Sequence, residues 1–352
     1  MSRFDLTRQG LADILVGEPP YRVGQVWSGL YRRLAEPGEM TDLPAALRAR
    51  LGDDPRLAPA LALEVETRSD ADQTRKWGWR LADGARIETV LMHYPDRSTA
   101  CVSSQAGCAM GCGFCATGQA GLTRSLTTGE IVEQVVRAAR ACRDEARRLS
   151  NVVFMGMGEP LANYRRVWAA IEAIHAHLGL SSRHLTVSTV GLVPGIRRLA
   201  REDLAVSLAV SLHAATDEVR DRLVPVNRRW PLGQLVAACE DYTSATGRRL
   251  SFEWALIDGV NDRPGDATAL AALARPLRAH VNLIPLNPTP GWPTRGTPAP
   301  GVAAFAAALV DQGVATTVRR TRGSDIGAAC GQLASPRRGD RSPGAGPLAL
   351  AD

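Results

Sequence analysis

The sequence predicts an α/β protein, a partial (β/α) barrel with a small, mainly helical N-terminal accessory domain. Three observations predict it. From about residue 99, short apolar strand-like runs alternate with helical stretches through short links, the pattern of a parallel sheet covered by helices. Residues 1–80 lack that alternation and carry short helical patterns instead. Residues 334–352 are rich in Pro, Gly and Ala without apolar periodicity, which reads as a disordered tail. The 352 residues, 45% hydrophobic and 22% charged, suffice for a large catalytic core over 81–333 and a smaller module before it. No apolar run approaches the roughly 18 residues of a membrane span. The opening MSRFDLTRQG lacks the apolar stretch of a signal peptide, so a cytoplasmic protein without membrane attachment is expected.

Taken in order, helical patterns occur at 11–16, 24–34 and 44–51; the second sets Val26, Trp27, Leu30, Tyr31 and Leu34 at helical spacing, a face packed on a core. GARIETVLMH at 84–93 reads as a strand. Further strands are expected at 100–103, 151–155, 185–189, 205–212, 250–256, 281–286 and 315–318. Between them fall helices at 127–142, 164–177, 231–246, 267–274 and 302–310. The first of these opens with Thr127 and Glu130 at capping-box spacing and puts Ile131, Val135 and Cys142 on one face. In such an architecture chemistry belongs at the carboxyl ends of the strands.

The net charge of +6 comes from 42 basic and 36 acidic residues, and only one of the basic residues, Lys76, is a lysine. Residues 1–80 hold 12 of each sign, so that module is no basic arm. Charge alone leaves a merely soluble chain and a nucleic-acid binder equally open. Seven cysteines in a chain of this type argue against a structural disulfide framework and for metal or redox chemistry.

Three of them, Cys108, Cys112 and Cys115, form a C-x3-C-x2-C array in QAGCAMGCGFCATG, with no fourth Cys or His nearby. Structural zinc takes four ligands, usually as separated pairs. Three thiolates on one loop suit a cubane iron–sulfur cluster with one iron open to a ligand, although zinc and a coincidental core set stay open on this segment alone. In GMGEP, Gly158 and its neighbours permit close backbone approach and Glu159 offers an acceptor for an ammonium group; a plain strand-to-helix turn is the competing reading. Ser188, and Ser211, Leu212 and His213, end strands where a barrel presents groups to a ligand. Cys101 and Cys330, each alone, read as buried hydrophobes, and Cys142 and Cys239 as core residues.

The array, with Phe114 just before the third cysteine, resembles that of the radical S-adenosylmethionine superfamily. From about Tyr21 to Ala334 the chain resembles the RlmN and Cfr family of radical S-adenosylmethionine RNA methyltransferases, most closely its RlmN branch. The segments that carry this include YRVGQVW, RIETV, CVSSQAGCAMGCGFCATG, NVVFMGMGEPLANY, NLIPLNPTPG and VRRTRGSDIGAACGQLA. The resemblance implies a [4Fe-4S] cluster on Cys108, Cys112 and Cys115 that binds and cleaves S-adenosylmethionine, with Asn287 among the cofactor contacts. It implies that Cys330 is methylated by a first S-adenosylmethionine. A radical from a second one then takes hydrogen from that methyl group, so two are used per turnover. The methylene radical adds to C2 of an adenine, an electron-poor carbon closed to direct displacement; Glu88 is the implied proton acceptor. Cys101 then attacks the Cys330 sulfur, releasing the methylated base and leaving a disulfide that must be reduced.

The implied substrates are an adenosine of the 23S ribosomal RNA peptidyl transferase centre and adenosine 37 of tRNAs, with flavodoxin or ferredoxin as electron donor and a monomer as the working form. Arg75, Lys76, Arg319, Arg320 and Arg322 are candidate phosphate contacts. Methylation at C8, the Cfr-type resistance chemistry, uses the same cysteines and stays open, as do a radical enzyme acting on a small molecule and a zinc-binding RNA adaptor. GSDIG before Cys330 and the Pro-rich GWPTRGTPAPG depart from the family pattern while the cysteines are intact.

Overall fold

The computed structural model describes residues 2–69, 73–289, 291–319 and 322–333; the expected tail at 334–352 and Arg320 lie outside the described residues. The N-terminal part carries helices α1 (Arg8–Ile14), α2 (Tyr21–Tyr31) and α3 (Ala45–Asp53). Strands β1 (Ala62–Arg68), β2 (Thr74–Arg80), β3 (Arg86–His93) and β4 (Ser98–Cys101) follow. A hairpin of β5 (Gln105–Gly107) and β6 (Leu122–Ser125) encloses α4 (Ala116–Ala120). The alternating part then runs α5 (Thr128–Asp144), β7 (Leu149–Phe154), α6 (Tyr164–Ala173), β8 (Leu185–Thr189), α7 (Val193–Leu199), β9 (Ser207–Ser211) and α8 (Asp217–Leu223). It continues through α9 (Leu232–Thr246), β10 (Ser251–Leu256), α10 (Pro264–Ala274), β11 (His280–Pro285), α11 (Ala299–Asp311) and β12 (Thr316–Val318).

One sheet runs β1-β2-β3-β4-β7-β8-β9-β10-β11-β12. From β4 to β12 all pairings are parallel, and β1, β2 and β3 add to β4 antiparallel. The order is linear, with β1 and β12 at its ends, which is the partial barrel expected. The reading of residues 1–80 as mainly helical needs one correction: β1 and β2 belong to the core sheet. The signal was weak because β1 is exposed along nearly its whole length and so has no apolar face to register as alternation. The short α4, α7 and α8 escaped for want of length.

Helix α5 joins the N-terminal part to the barrel. Its capping box is made, with Glu130 N–H donating to Thr127 Oγ1 at 3.1 Å and Thr127 N–H to Glu130 Oε2 at 2.8 Å. Asp5 adds a second cap by accepting from Gly129 N–H at 2.6 Å. Glu133, fully buried on α5, accepts from the Ser2 hydroxyl and from Ala60 N–H. The first three bonds satisfy three of the orphan donors of a helix start, and those of Asp5 and Glu133 fix the N-terminal segment to the core. Cys142 and Cys239 are fully buried in the core, as expected.

Candidate active site

Directly paired residues share a face of a sheet, and residues two apart along a strand share it as well. One row pairs Lys76 with Val90, Val90 with Cys101, and Cys101 with Val153. Another pairs Ser211 with Glu253 and Glu253 with Asn282. Register therefore gathers Glu88, Cys101, Ser188, Ser211 and Glu253 on the concave face of the sheet, from positions spread over some 165 residues of chain.

The cysteine loop closes over that face. Cys108 N–H donates to Gly121 O at 2.9 Å, across the β5–β6 hairpin. Gly107 (φ +78°) must be glycine there, since a Cβ would stand 1.9 Å from Gly121 O. Phe114 meets the His213 ring edge-on at 4.9 Å, wedging the loop against the end of β9. Cys108, Cys112 and Cys115 line one cavity together with Gly158, Glu159, Ser188, Ser211, His213, Asn287 and Cys330. Burial pushes the Cys108 thiol up to about 11 and the Cys112 thiol higher still, and each neighbouring cysteine adds repulsion. Such thiols are protonated at neutral pH, and a metal ion that bound them would take the place of those protons. Among the described residues no three Cys, His, Asp or Glu side chains converge on a single ion. A cubane bonds each thiolate to a different iron, and three thiols lining one cavity fit such a cluster.

Glu159 is 2% exposed and is held by backbone donors, Leu161 N–H at 3.0 Å and Val190 N–H at 2.9 Å. Burial raises its carboxyl to about 7 against those bonds. A carboxylate accepts about four hydrogen bonds, so capacity remains for a ligand ammonium. Gly158 (φ +98°) lets this turn lie against β5, where a Cβ would meet Gln105 Cβ at 2.5 Å. His213, itself at φ +58°, accepts Ala255 N–H at its Nδ1 at 3.0 Å. Burial, with the Arg220 charge nearby, pushes its pKa down to about 3, so the ring is neutral with its proton on Nε2. Leu212 differs from the other residues expected at the cofactor in where its side chain lies. Its side chain is fully buried in the core rather than lining the cavity, and its carbonyl accepts from Arg220 Nε at 3.0 Å. The strand alternation that sends Ser211 inward sends Leu212 outward.

The two remote cysteines line one cavity. Cys101 and Cys330 line a second cavity with Val90, Met155, Asn287 and Arg319; Cys330, Asn287 and Arg319 line the cluster cavity too. The Cys330 segment is stapled in place: Asn287 Nδ2 donates to Cys330 O at 3.1 Å, Ala116 N–H to Gly331 O at 2.8 Å, and the Thr117 hydroxyl to Leu333 O. Burial pushes the Cys101 thiol up to about 12, the Cys330 charge adding to this and Arg319 opposing it. Glu88 lies on β3 two residues before Val90, 3% exposed, with the Lys76 ammonium 3.3 Å from its Oε1.

Three basic residues expected at phosphate are engaged inside the protein. Lys76 is turned onto Glu88, and Arg75 is paired with Glu66 and Glu145. Arg322 donates to His93 O at 3.1 Å and lies over the Tyr94 ring. Arg319 sits between the catalytic cysteine candidates and Glu253, whose charges raise its pKa. Sequence reasoning missed Glu253 and the inward turn of Arg319 and Lys76. Alternation within RLSFEWAL could have flagged the first, but the other two need the sheet order.

Residues 102–271 match the Radical SAM superfamily model. The chain is 57% identical to the probable dual-specificity RNA methyltransferase RlmN of Frankia casuarinae over 96% of this chain and 84% of that one. It is 53% identical to the protein of the same name from Mycobacterium marinum, covering 95% and 94%. Among solved structures, a radical SAM methyltransferase from Sphaerobacter thermophilus superposes with a TM-score of 0.91 at 50% identity, over 95% of this chain and 99% of that one. With that identity spread over nearly the whole length of its relatives, the chain belongs to the RlmN family of radical S-adenosylmethionine RNA methyltransferases.

Proposed function

We propose that the protein methylates C2 of one adenosine in 23S ribosomal RNA and of adenosine 37 in tRNAs, through methylated Cys330 and a transient Cys101–Cys330 disulfide. The observation that carries this reading is that Cys330 lines both cavities, the one lined by the three array cysteines and the one lined by Cys101. Cys108, Cys112 and Cys115 would hold a [4Fe-4S] cluster, which when bound supplies the electron that splits S-adenosylmethionine into methionine and a 5′-deoxyadenosyl radical.

The chain's own residues do the rest. Glu159 receives the amino group of S-adenosylmethionine, and Ser188, Ser211 and Asn287 surround the remainder. Cys330 accepts the methyl group and carries its carbon to the adenine. Glu88 accepts the C2 proton. Cys101, as thiolate, forms the S–S bond while the bond from the Cys330 sulfur to the methylene carbon breaks; the electron pair goes to that carbon, which takes a proton to become the methyl group. A flavodoxin- or ferredoxin-type donor supplies electrons, and a cellular thiol system reopens the disulfide. Among the described residues no helix is long and apolar enough to cross a membrane. The deciding experiment is mass-spectrometric mapping of methyladenosine in 23S ribosomal RNA and tRNA with and without the gene. Loss of the C2 methyl from both RNAs is expected; a methyl group on C8 would replace this reading with the Cfr-type one.

A further inference from the structure

We infer that Lys76 is a positioning residue for Glu88, its ammonium holding the carboxylate and the Cys330-bearing segment in one arrangement. The inference rests on the reading of Glu88 as the acceptor of the C2 proton. Lys76 stands opposite Val90, so it is the diagonal neighbour of Glu88 on the same face. Its Nζ lies 3.3 Å from Glu88 Oε1 and donates to Gly327 O at 3.2 Å, three residues before Cys330. Gly327 has φ +63°, and a Cβ there would come 3.4 Å from Nζ, so the segment is seated closely on the ammonium. One cation thus ties β2, the proton acceptor on β3 and the methyl-carrying segment, elements separated by some 250 residues of chain.

Composition supports a specific requirement. Arginine fills 41 of the 42 basic positions, and the one lysine is at this contact. An ammonium is a compact charge with three donors that radiate in different directions, suited to a carboxylate oxygen and a carbonyl at once. A guanidinium is a flat fork suited to bidentate pairing, and its length would push against the Gly327 segment. In the step concerned the C2 proton passes to a Glu88 oxygen while its electron pair stays in the ring, and the unpaired electron left by the radical addition passes to a one-electron acceptor of the iron–sulfur class. The acceptor must therefore be ionised and fixed relative to the carbon that Cys330 delivers.

The test follows single turnovers of reconstituted, anaerobic protein on in-vitro-transcribed 23S ribosomal RNA. In K76M, methylation of Cys330, cleavage of S-adenosylmethionine and RNA affinity are expected within about twofold of wild type. Conversion of the protein–RNA adduct to methylated RNA is expected to slow by about tenfold or more, the effect of a displaced reacting group. K76R, which restores charge without shape, should fall between K76M and wild type. E88Q should slow the same step by about a hundredfold or more. A K76M protein that converts adduct at the wild-type rate, that loses all steps in equal measure, or that K76R does not improve overturns the role of Lys76. Normal conversion by E88Q would instead overturn the reading of Glu88 and with it the basis of the inference.

Discussion

Release of RNA from the adduct should depend on pH through Cys101. Burial, with a smaller part from the Cys330 thiol that disappears once that sulfur carries carbon, raises this thiol from an ordinary 9.0 to about 12, which corresponds to about 4 kcal/mol against the thiolate. A raised thiol pKa favours the protonated form, so deprotonation is the scarce state at neutral pH. At pH 7 about one molecule in 10⁵ carries the Cys101 thiolate, and about one in 10³ does at pH 9. Because the thiolate is the attacking species, the release rate should climb about tenfold per pH unit across that interval. The adduct is formed at pH 6.5, where release is slow, then jumped to a series of values between pH 7 and pH 9, quenched with acid and resolved on a denaturing gel. Iodoacetamide labelling of Cys101, read by mass spectrometry, measures the same titration without RNA. A flat release rate between pH 7 and pH 9, or half-maximal labelling at or below pH 9, would refute the argument that burial controls this thiol.

Cys330→Ala should abolish both methylation and adduct, whereas Cys101→Ala should accumulate RNA covalently bound to protein; a fully active Cys101→Ala enzyme would remove the resolving role. Cys112→Ala, or anaerobic iron chelation of the intact protein, should abolish the brown colour and cleavage of S-adenosylmethionine, measured by iron content and 5′-deoxyadenosine yield. Gly158→Ala would force a Cβ to within 2.5 Å of Gln105 Cβ at φ +98°, and should cost about 2 kcal/mol or more, read as a lower thermal unfolding midpoint. An unchanged midpoint would show that the turn relaxes at no cost.

Local signals were legible in the sequence wherever chemistry or packing leaves a short-range pattern. The C-x3-C-x2-C array marked the cluster loop, Thr127 and Glu130 marked the start of α5, and alternation with helices marked the parallel sheet. β1 was illegible because an exposed edge strand has no apolar period, and the burial of the Leu212 side chain was illegible because a motif match ignores which way each strand residue points. Cys101, Glu88 and Cys330 carried no signal of their own and were singled out by resemblance alone. What brought them together was strand order: antiparallel β2 and β3 set Lys76 and Glu88 beside β4 and Cys101, and residues 322–333 place Cys330 at the cavity that Cys101 lines. The sequence by itself determined which residue types were present and their local periodicity, because those follow from neighbours three or four positions away. The tertiary structure alone decided that the one lysine faces a buried carboxylate and that Arg319 faces two thiols, because burial and pairing across strands join Lys76 to a residue 12 positions away and Arg319 to Cys101, more than 200 positions away.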